Sequence, residues 1–205
     1  MSQTIDYYFT LMSPFTLFGH KAFVEMANKH GKTINYKPMS LMGLWEESGG
    51  VPPGKRPPMR QRYRLVELSR IAQMRGLKIN MQPAHFPTDP TLADNCVSAI
   101  QDQGGNAADF CLSVLEGVWC NELNISDEAT IRELLSKNGF NADEVIAHAT
   151  SDEVNAKRSQ NTTDAIAADA IGAPAYVYQG EVFWGQDRIE YLDDMIKSGR
   201  AAFSA

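Results

Sequence analysis

The spacing of apolar residues changes several times along the chain, and each change marks an element. Residues 5–10, IDYYFT, are aromatic and β-branched and predict a strand. Ser13-Pro14 follows as a helix start. Serine at the N-cap accepts from a free amide, and proline suits the first helical position, where no N–H is required. Leu17, Phe23, Val24 and Ala27 then keep helical spacing and predict a helix to about Lys29, stopping near Gly31. TINYKPM, 33–39, predicts a second strand. The order is β-α-β, the unit that builds parallel sheets.

GGVPPGKRPP, 49–58, has four prolines and three glycines in ten residues and predicts a loop without regular structure. From Arg60 to Gly76, apolar residues at 65, 68 and 72 and at 71 and 74 predict a helix. A long helical region follows. Its expected starts are Thr91–Asp94, Ser126 with Asp127-Glu128, Asn141 with Glu144, and Ser151-Asp152, and Gly139 is an expected helix stop. AYVYQGEVFWG then reads as two short strands around Gln179-Gly180, and Asp187 opens a last amphipathic helix with Ile189, Leu192 and Ile196 on one face. The expectation is an α/β thioredoxin fold with a large all-helical insertion. Residues 1–60 and 160–205 would form a discontinuous thioredoxin-like domain and 61–159 the insertion.

Composition narrows the function classes. A chain of 205 residues with 43% hydrophobic and 21% charged residues is ordinary for a globular protein. No apolar run approaches the ~20 residues of a membrane span, and MSQTIDYYFT lacks the basic and apolar regions of a signal peptide. The net charge of −6 argues against nucleic acid as the main partner. Cys96, Cys111 and Cys120 form no C-x-x-C pair and no even framework, so reduced, mostly buried thiols and a cytoplasmic location are expected. The charge is nonetheless uneven. Lys55, Arg56, Arg60, Arg62, Arg64, Arg70, Arg75 and Lys78 stand against Glu67 alone, as either a solvated helix face or a site for a small anion.

Thiol redox proteins of the thioredoxin superfamily carry Cys-x-x-Cys where the first strand meets the first helix. Here Ser13 and Thr16 hold those two positions. Dithiol redox chemistry is therefore disfavoured. Three further segments accompany Ser13-Pro14-Phe15-Thr16: Gly172-Ala173-Pro174, Phe183-Trp184-Gly185-Gln186-Asp187-Arg188, and the GGVPP…RPP loop and helix leading to His85-Phe86-Pro87. Together, over nearly the full chain, they resemble the 2-hydroxychromene-2-carboxylate isomerase family, which is related to kappa-class glutathione transferases and more distantly to DsbA.

The resemblance implies that the missing sulfur is borrowed from glutathione, with Ser13 as the catalytic residue that donates a hydrogen bond to its thiolate. A helix N-terminus favours such an anion, and a free thiol with pKa ~8.5 is mostly protonated at neutral pH. The resemblance further implies a cis proline at Pro174, with Ala173 pairing through its backbone to the cysteinyl part of glutathione. Gln186 and Asp187 would hold its γ-glutamyl end, although Asp187 also reads as a plain N-cap. Arg60 would meet its glycine carboxylate. Arg64, His85 and Trp184 would meet a small aromatic carboxylate substrate, with His85 equally readable as a structural loop residue. Gly50, where relatives often carry Asn, and Arg60, where Lys is frequent, depart from the pattern and leave room for a different substrate. The implied reaction interconverts 2-hydroxychromene-2-carboxylate and trans-o-hydroxybenzylidenepyruvate, and the implied assembly is a homodimer. A glutathione transferase making a lasting conjugate and a non-catalytic thioredoxin-like binding module are the alternatives.

Overall fold

Strand β1, Thr4–Phe9, lies inside the sheet, with Ile5, Tyr7 and Phe9 buried on one face and Tyr8 buried on the other. The structure is a computed structural model and describes residues 3–204. β1 pairs in parallel with β2, Thr33–Pro38, and antiparallel with β3, Ala175–Tyr178, which continues into β4, Glu181–Trp184; the order is β2-β1-β3-β4. Successive side chains point to opposite faces, so the sheet feeds two cores. Ile5, Tyr7, Phe9 and Tyr176 enter the larger one, and Tyr8 and Ala175 enter a smaller one with Met39, Leu44 and Ala165. Tyr7 stacks on Phe9 at 4.3 Å and on Tyr176 at 5.3 Å, and Phe23 lies 4.7 Å away. Each such ring contact adds about 0.5–1.5 kcal/mol to the burial of the rings themselves.

Helix α1, Pro14–Lys29, crosses from β1 to β2 with Ser13 as its N-cap and Pro14 at its first position. Leu17, Phe23 and Ala27 are buried and Val24 is half-buried against the same core; Gly31, just beyond the helix, takes a positive φ. The turn between β3 and β4 has positive φ at both Gln179 and Gly180, the requirement of a tight two-residue hairpin.

Between these ends lie α2, Leu41–Ser48; α3, Pro58–Arg75; α4, Thr91–Asp102; α5, Ala108–Cys120; α6, Glu128–Lys137; α7, Ala142–Ala149; and α8, Asp152–Ala167. Helix α9, Ile189–Ser198, closes the chain. Four local expectations are corrected. The Gly49–Pro58 loop contains a one-turn 3-10 helix at Pro53–Lys55, since two prolines pre-set the required φ, and Pro58 already opens α3. On α3 only Leu68, Ile71 and Ala72 are buried, whereas Met74 is 84% exposed, because α3 rests on α1 along a narrow strip beside Phe18. Helix α6 is capped by Asp127 rather than Ser126, whose hydroxyl instead donates to Asn124. Asp187 lies in the turn before α9 and does not cap it; Arg188 occupies the N-cap position. Asn141 and Ser151 cap their helices as expected, and α4 begins at Thr91, whose N–H donates to the Asp89 carboxylate. Among the described residues, no helix is long and apolar enough to cross a membrane.

Candidate functional site

The first turn of α1 spends most of its polar groups on itself. Thr16 N–H donates to Ser13 Oγ at 3.3 Å, and Leu17 N–H donates to the Ser13 carbonyl. Pro14 has no N–H. Phe15 N–H is thus left as the open donor of the turn, with no acceptor among the described residues. Ser13 Oγ, having accepted one bond, keeps its own proton to donate. Ser13 is only 6% exposed, and Thr16 is fully buried with its hydroxyl unpaired.

Facing this turn, the Ala173–Pro174 peptide is cis. Among the described residues nothing hydrogen-bonds to the N–H or C=O of Ala173. The Pro174 carbonyl accepts from Gly185 N–H at 2.8 Å and so draws the turn after β4 alongside. Gly185 has φ +107°, which a side chain would strain. This turn presents Gln186 and Asp187. Gln186 is nearly buried and its Oε1 accepts from Arg75 Nη2 at 3.0 Å, so the amide NH2 is the end left for another partner. Asp187 is exposed, and its Oδ2 accepts from Arg188 Nη1 at 2.5 Å. The Gly185–Arg188 turn sits directly on α1: a Cβ at Gly19 would come 2.9 Å from Gln186 Cβ.

Two cavities join over Phe15 and Glu67, which line both. One, about 230 Å³, is walled by Ala173, Trp184, Gln186 and Asp187. The other, about 310 Å³, is walled by Arg56, Met59, Arg60, Tyr63 and Arg64. Arg64 is half-buried over the rings of Phe86 (5.7 Å) and Trp119 (6.0 Å), and Arg56 lies 5.7 Å from the Trp45 ring. Burial first, and then the positive Arg56 nearby, lower the pKa of Arg64; burial and Arg60 do the same to Arg56. Cations that repel one another in a partly dry cavity have a standing affinity for an anion.

The structure therefore brings Ala173, Gln186, Asp187, Trp184, Arg60 and Arg64 to one groove beside the Ser13 turn, while Pro174 is buried and lines neither cavity. Ser13 itself lines neither cavity; Phe15, two residues on, does. His85 is exposed in the loop between α3 and α4 and lines neither cavity, although its neighbour Phe86 lies beneath Arg64. Trp184 is half-exposed, while Trp119 is core. Glu67, Ile71 and Arg75 went unassigned in the sequence. The available signal was their spacing: 60, 64, 67 and 71 share one helical face, and Glu67 is the lone acid of a basic segment.

A larger cavity of about 600 Å³ lies between α1 and α5, with Lys21, Glu25, Arg75, Asp109 and Glu116 on its walls; it contains none of the expected site residues. Cys96 and Cys111 are buried and Cys120 half-buried, all three unpaired and none at the groove. Burial pushes the Cys96 thiol up to about 12 and raises the other two as well. Among the described residues, the groove thus holds no cysteine thiol. Among the described residues, no group of three or more His, Cys, Asp and Glu side chains is arranged to hold a metal ion.

The family model for the DSBA-like thioredoxin domain matches residues 4–197. The chain is 23% identical to a 2-hydroxychromene-2-carboxylate isomerase of Sphingobium xenophagum, over 96% of this chain and 99% of that one. It is 20% identical to glutathione S-transferase kappa 1 of Homo sapiens, over 96% and 92%. A solved structure of a 2-hydroxychromene-2-carboxylate isomerase superposes with a TM-score of 0.81 at 22% identity, covering 95% of each chain.

Proposed function

We propose, for a chain that belongs to the DSBA-like thioredoxin domain family, a glutathione-dependent isomerisation of 2-hydroxychromene-2-carboxylate to trans-o-hydroxybenzylidenepyruvate, or of a close aromatic analogue. The observation that carries this reading is a helix start with no sulfur of its own, set across from the unpaired backbone groups of Ala173. Those groups suit a strand-like pairing with a peptide ligand. The isomerase among the relatives supports the choice of reaction, and the kappa-class glutathione transferase supports the choice of glutathione.

Glutathione held in this groove would supply a nucleophilic thiolate, the chemistry that lets a conjugated double bond rotate without the thiol being consumed. The chain's part is electrostatic and positional. Ser13 Oγ–H and the open Phe15 N–H donate to the sulfur anion at the helix N-terminus, where the aligned peptide dipoles favour negative charge. The Ala173 N–H and C=O hold the cysteinyl unit. The Gln186 NH2 and the Asp187 carboxylate take the carboxylate and ammonium of the γ-glutamyl end. Arg60 meets the glycine carboxylate, and Arg64 meets the substrate carboxylate with Phe15 and Trp184 against its ring. His85, exposed outside both cavities, is given no part.

A kappa-like transferase is the second reading, favoured by the human relative and by the same groove. The test is turnover with glutathione present. Isomerisation with glutathione undiminished supports the proposal; stoichiometric loss of glutathione supports the transferase; absence of binding leaves a binding module without affinity for glutathione. Ser13→Ala keeps the helix start, so glutathione affinity falls modestly. The bound thiol's pKa rises and turnover drops about 10²–10³-fold, as for loss of one donor to a reacting anion. A wild-type rate with an unshifted thiol pKa would reduce Ser13 to a helix cap.

A further inference from the structure

The loop that delivers Ser13 to its place is Thr10–Met12, and it is tied at successive residues to the helical insertion. Asp94, on α4, accepts Leu11 N–H on Oδ1 at 2.9 Å and Thr10 Oγ–H on Oδ2 at 3.1 Å. Oδ2 also accepts Arg158 Nη2 of α8 at 3.0 Å and Nε at 3.3 Å. From α5, Trp119 Nε1–H donates to the Met12 carbonyl at 3.2 Å. Ser13 N–H closes the turn on the Thr10 carbonyl at 3.2 Å. The Asp94 side chain is fully buried and that of Arg158 only 16% exposed.

A buried ion pair is a poor way to gain stability, since removing two charges from water offsets most of their attraction; apolar side chains of similar size often do as well or better. Asp94 lies in the first turn of α4, but among the described residues its side chain makes no hydrogen bond to that helix. Its two loop bonds both go to the segment before Ser13. We propose that Asp94, held by Arg158, is a positioning residue that fixes the Thr10–Ser13 loop and thereby aims the Ser13 hydroxyl and the Phe15 N–H at the groove. Misplacement of catalytic groups by about 1 Å costs on the order of 10²-fold in rate, so such a clamp is worth an ion pair that adds little to stability. The insertion then shapes the reaction although it touches no reacting atom. The functional half of this inference rests on the glutathione reading above; the structural half does not.

Two variants of the full chain test it: Asp94→Asn, and Thr10→Val, which keeps the ion pair and removes only the hydroxyl bond. Amide hydrogen exchange is read at Leu11 and Ser13, with Tyr7 and the α9 amides as reference. The bound glutathione thiol is titrated by its thiolate absorbance. Expected in both variants is exchange about tenfold faster at Leu11 and Ser13 with the reference amides unmoved. A raised bound-thiol pKa should accompany it. Turnover falls about tenfold for Thr10→Val and about 10²-fold for Asp94→Asn, with substrate KM little changed. Loop exchange that is unaltered, or that rises equally everywhere, overturns the clamp. Faster loop exchange with unaltered thiol pKa and kcat overturns its role in positioning. If the wild-type chain binds no glutathione, the functional proposal falls while the exchange measurement still decides the clamp.

Discussion

Gly19 sits in the second turn of α1 where the helix backs onto the turn that carries Gln186 and Asp187, and Gly19→Ala tests that seat. The added Cβ would stand 2.8 Å from Tyr176 Oη, 2.9 Å from Gln186 Cβ and 3.3 Å from Gln186 Cα, against ordinary contact from 3.4 Å upward. None of these is the loose end of a flexible side chain. Tyr176 is fully buried, 4.4 Å from the Phe23 ring, and Gln186 is met close to its own backbone. Something has to shift by about 0.5 Å or more, and overpacking of this kind costs about 1–3 kcal/mol. The helix gains about 1 kcal/mol from replacing glycine by alanine, so net destabilisation is about 0–2 kcal/mol. Gly117→Ala on α5 is the internal control. Its Cβ would lie 3.3 Å from the terminal methyl of Leu123, which can yield, so the helix gain survives. Thermal unfolding should therefore show Gly117→Ala raised by about 2–4 °C and Gly19→Ala lowered. Calorimetry should show glutathione affinity weakened about tenfold, or 1.4 kcal/mol, in Gly19→Ala only. If Gly19→Ala gains stability like Gly117→Ala and binds glutathione as the wild type does, the turn is not seated on α1 and the geometry argued for Gln186 fails.

Asp187→Ala should weaken glutathione binding by about 1.5–3 kcal/mol, the range of a hydrogen bond to a charged group, with little change in Tm because Asp187 caps no helix; unchanged affinity in calorimetry would sink its ligand role. Arg75→Met releases the Gln186 amide and should lower glutathione affinity about 3–10-fold, whereas Arg62→Met, exposed on the same helix, should not; equal effects would point to bulk charge instead. His20 gives a pH signature. Burial pushes its imidazole below its usual value near 6.5, with Nε2–H donated to the Ala108 carbonyl at 2.9 Å. The unfolded chain then binds more protons in that window, so this contribution is full above pH 6.5 and is lost as pH falls toward the depressed value. Asp94 works in the opposite sense. Its carboxyl is pushed up to about 6, burial outweighing Arg158, so its contribution is greatest at low pH and is lost as pH rises through about 6. Thermal unfolding against pH should therefore steepen on the acid side in Asp94→Asn and flatten in His20→Gln; a His20→Gln profile parallel to wild type would refute the neutral buried imidazole.

Much of the frame was legible in local chemistry. Ser13-Pro14, the aromatic and β-branched run IDYYFT and the Gln179-Gly180 turn each constrain only a few neighbouring residues, and each formed within a residue of where it was read. The errors fall where distant packing decides. Met74 continues the apolar spacing of α3, yet α3 touches α1 only along the Leu68–Ala72 strip. Asp187 looks like a cap until the bond from Gly185 to the Pro174 carbonyl holds it in the preceding turn. The groove was legible as a resemblance of separated motifs, but its second wall was not. Glu67 and Arg75 count merely as charges in a basic run until α3 lies against Phe15 and Gln186. Asp94 was beyond reach altogether, since nothing local says that an acid on one helix will serve a loop more than 80 residues earlier.

The pairing of β1 carries a consequence for how such a chain comes into being. Its parallel partner, β2, is made soon after it, but its antiparallel partner joins Asp6 to Val177, near the other end of the sequence. During synthesis one flank of β1, the backbone edge of Asp6–Tyr8, therefore stays open while every intervening helix emerges. Non-local strand pairings close slowly, and unpaired apolar edges invite association between chains. Ala173, Gln186 and Asp187 arrive on that same late segment, so the nascent chain gains the antiparallel partner of β1 and one wall of the groove in one event.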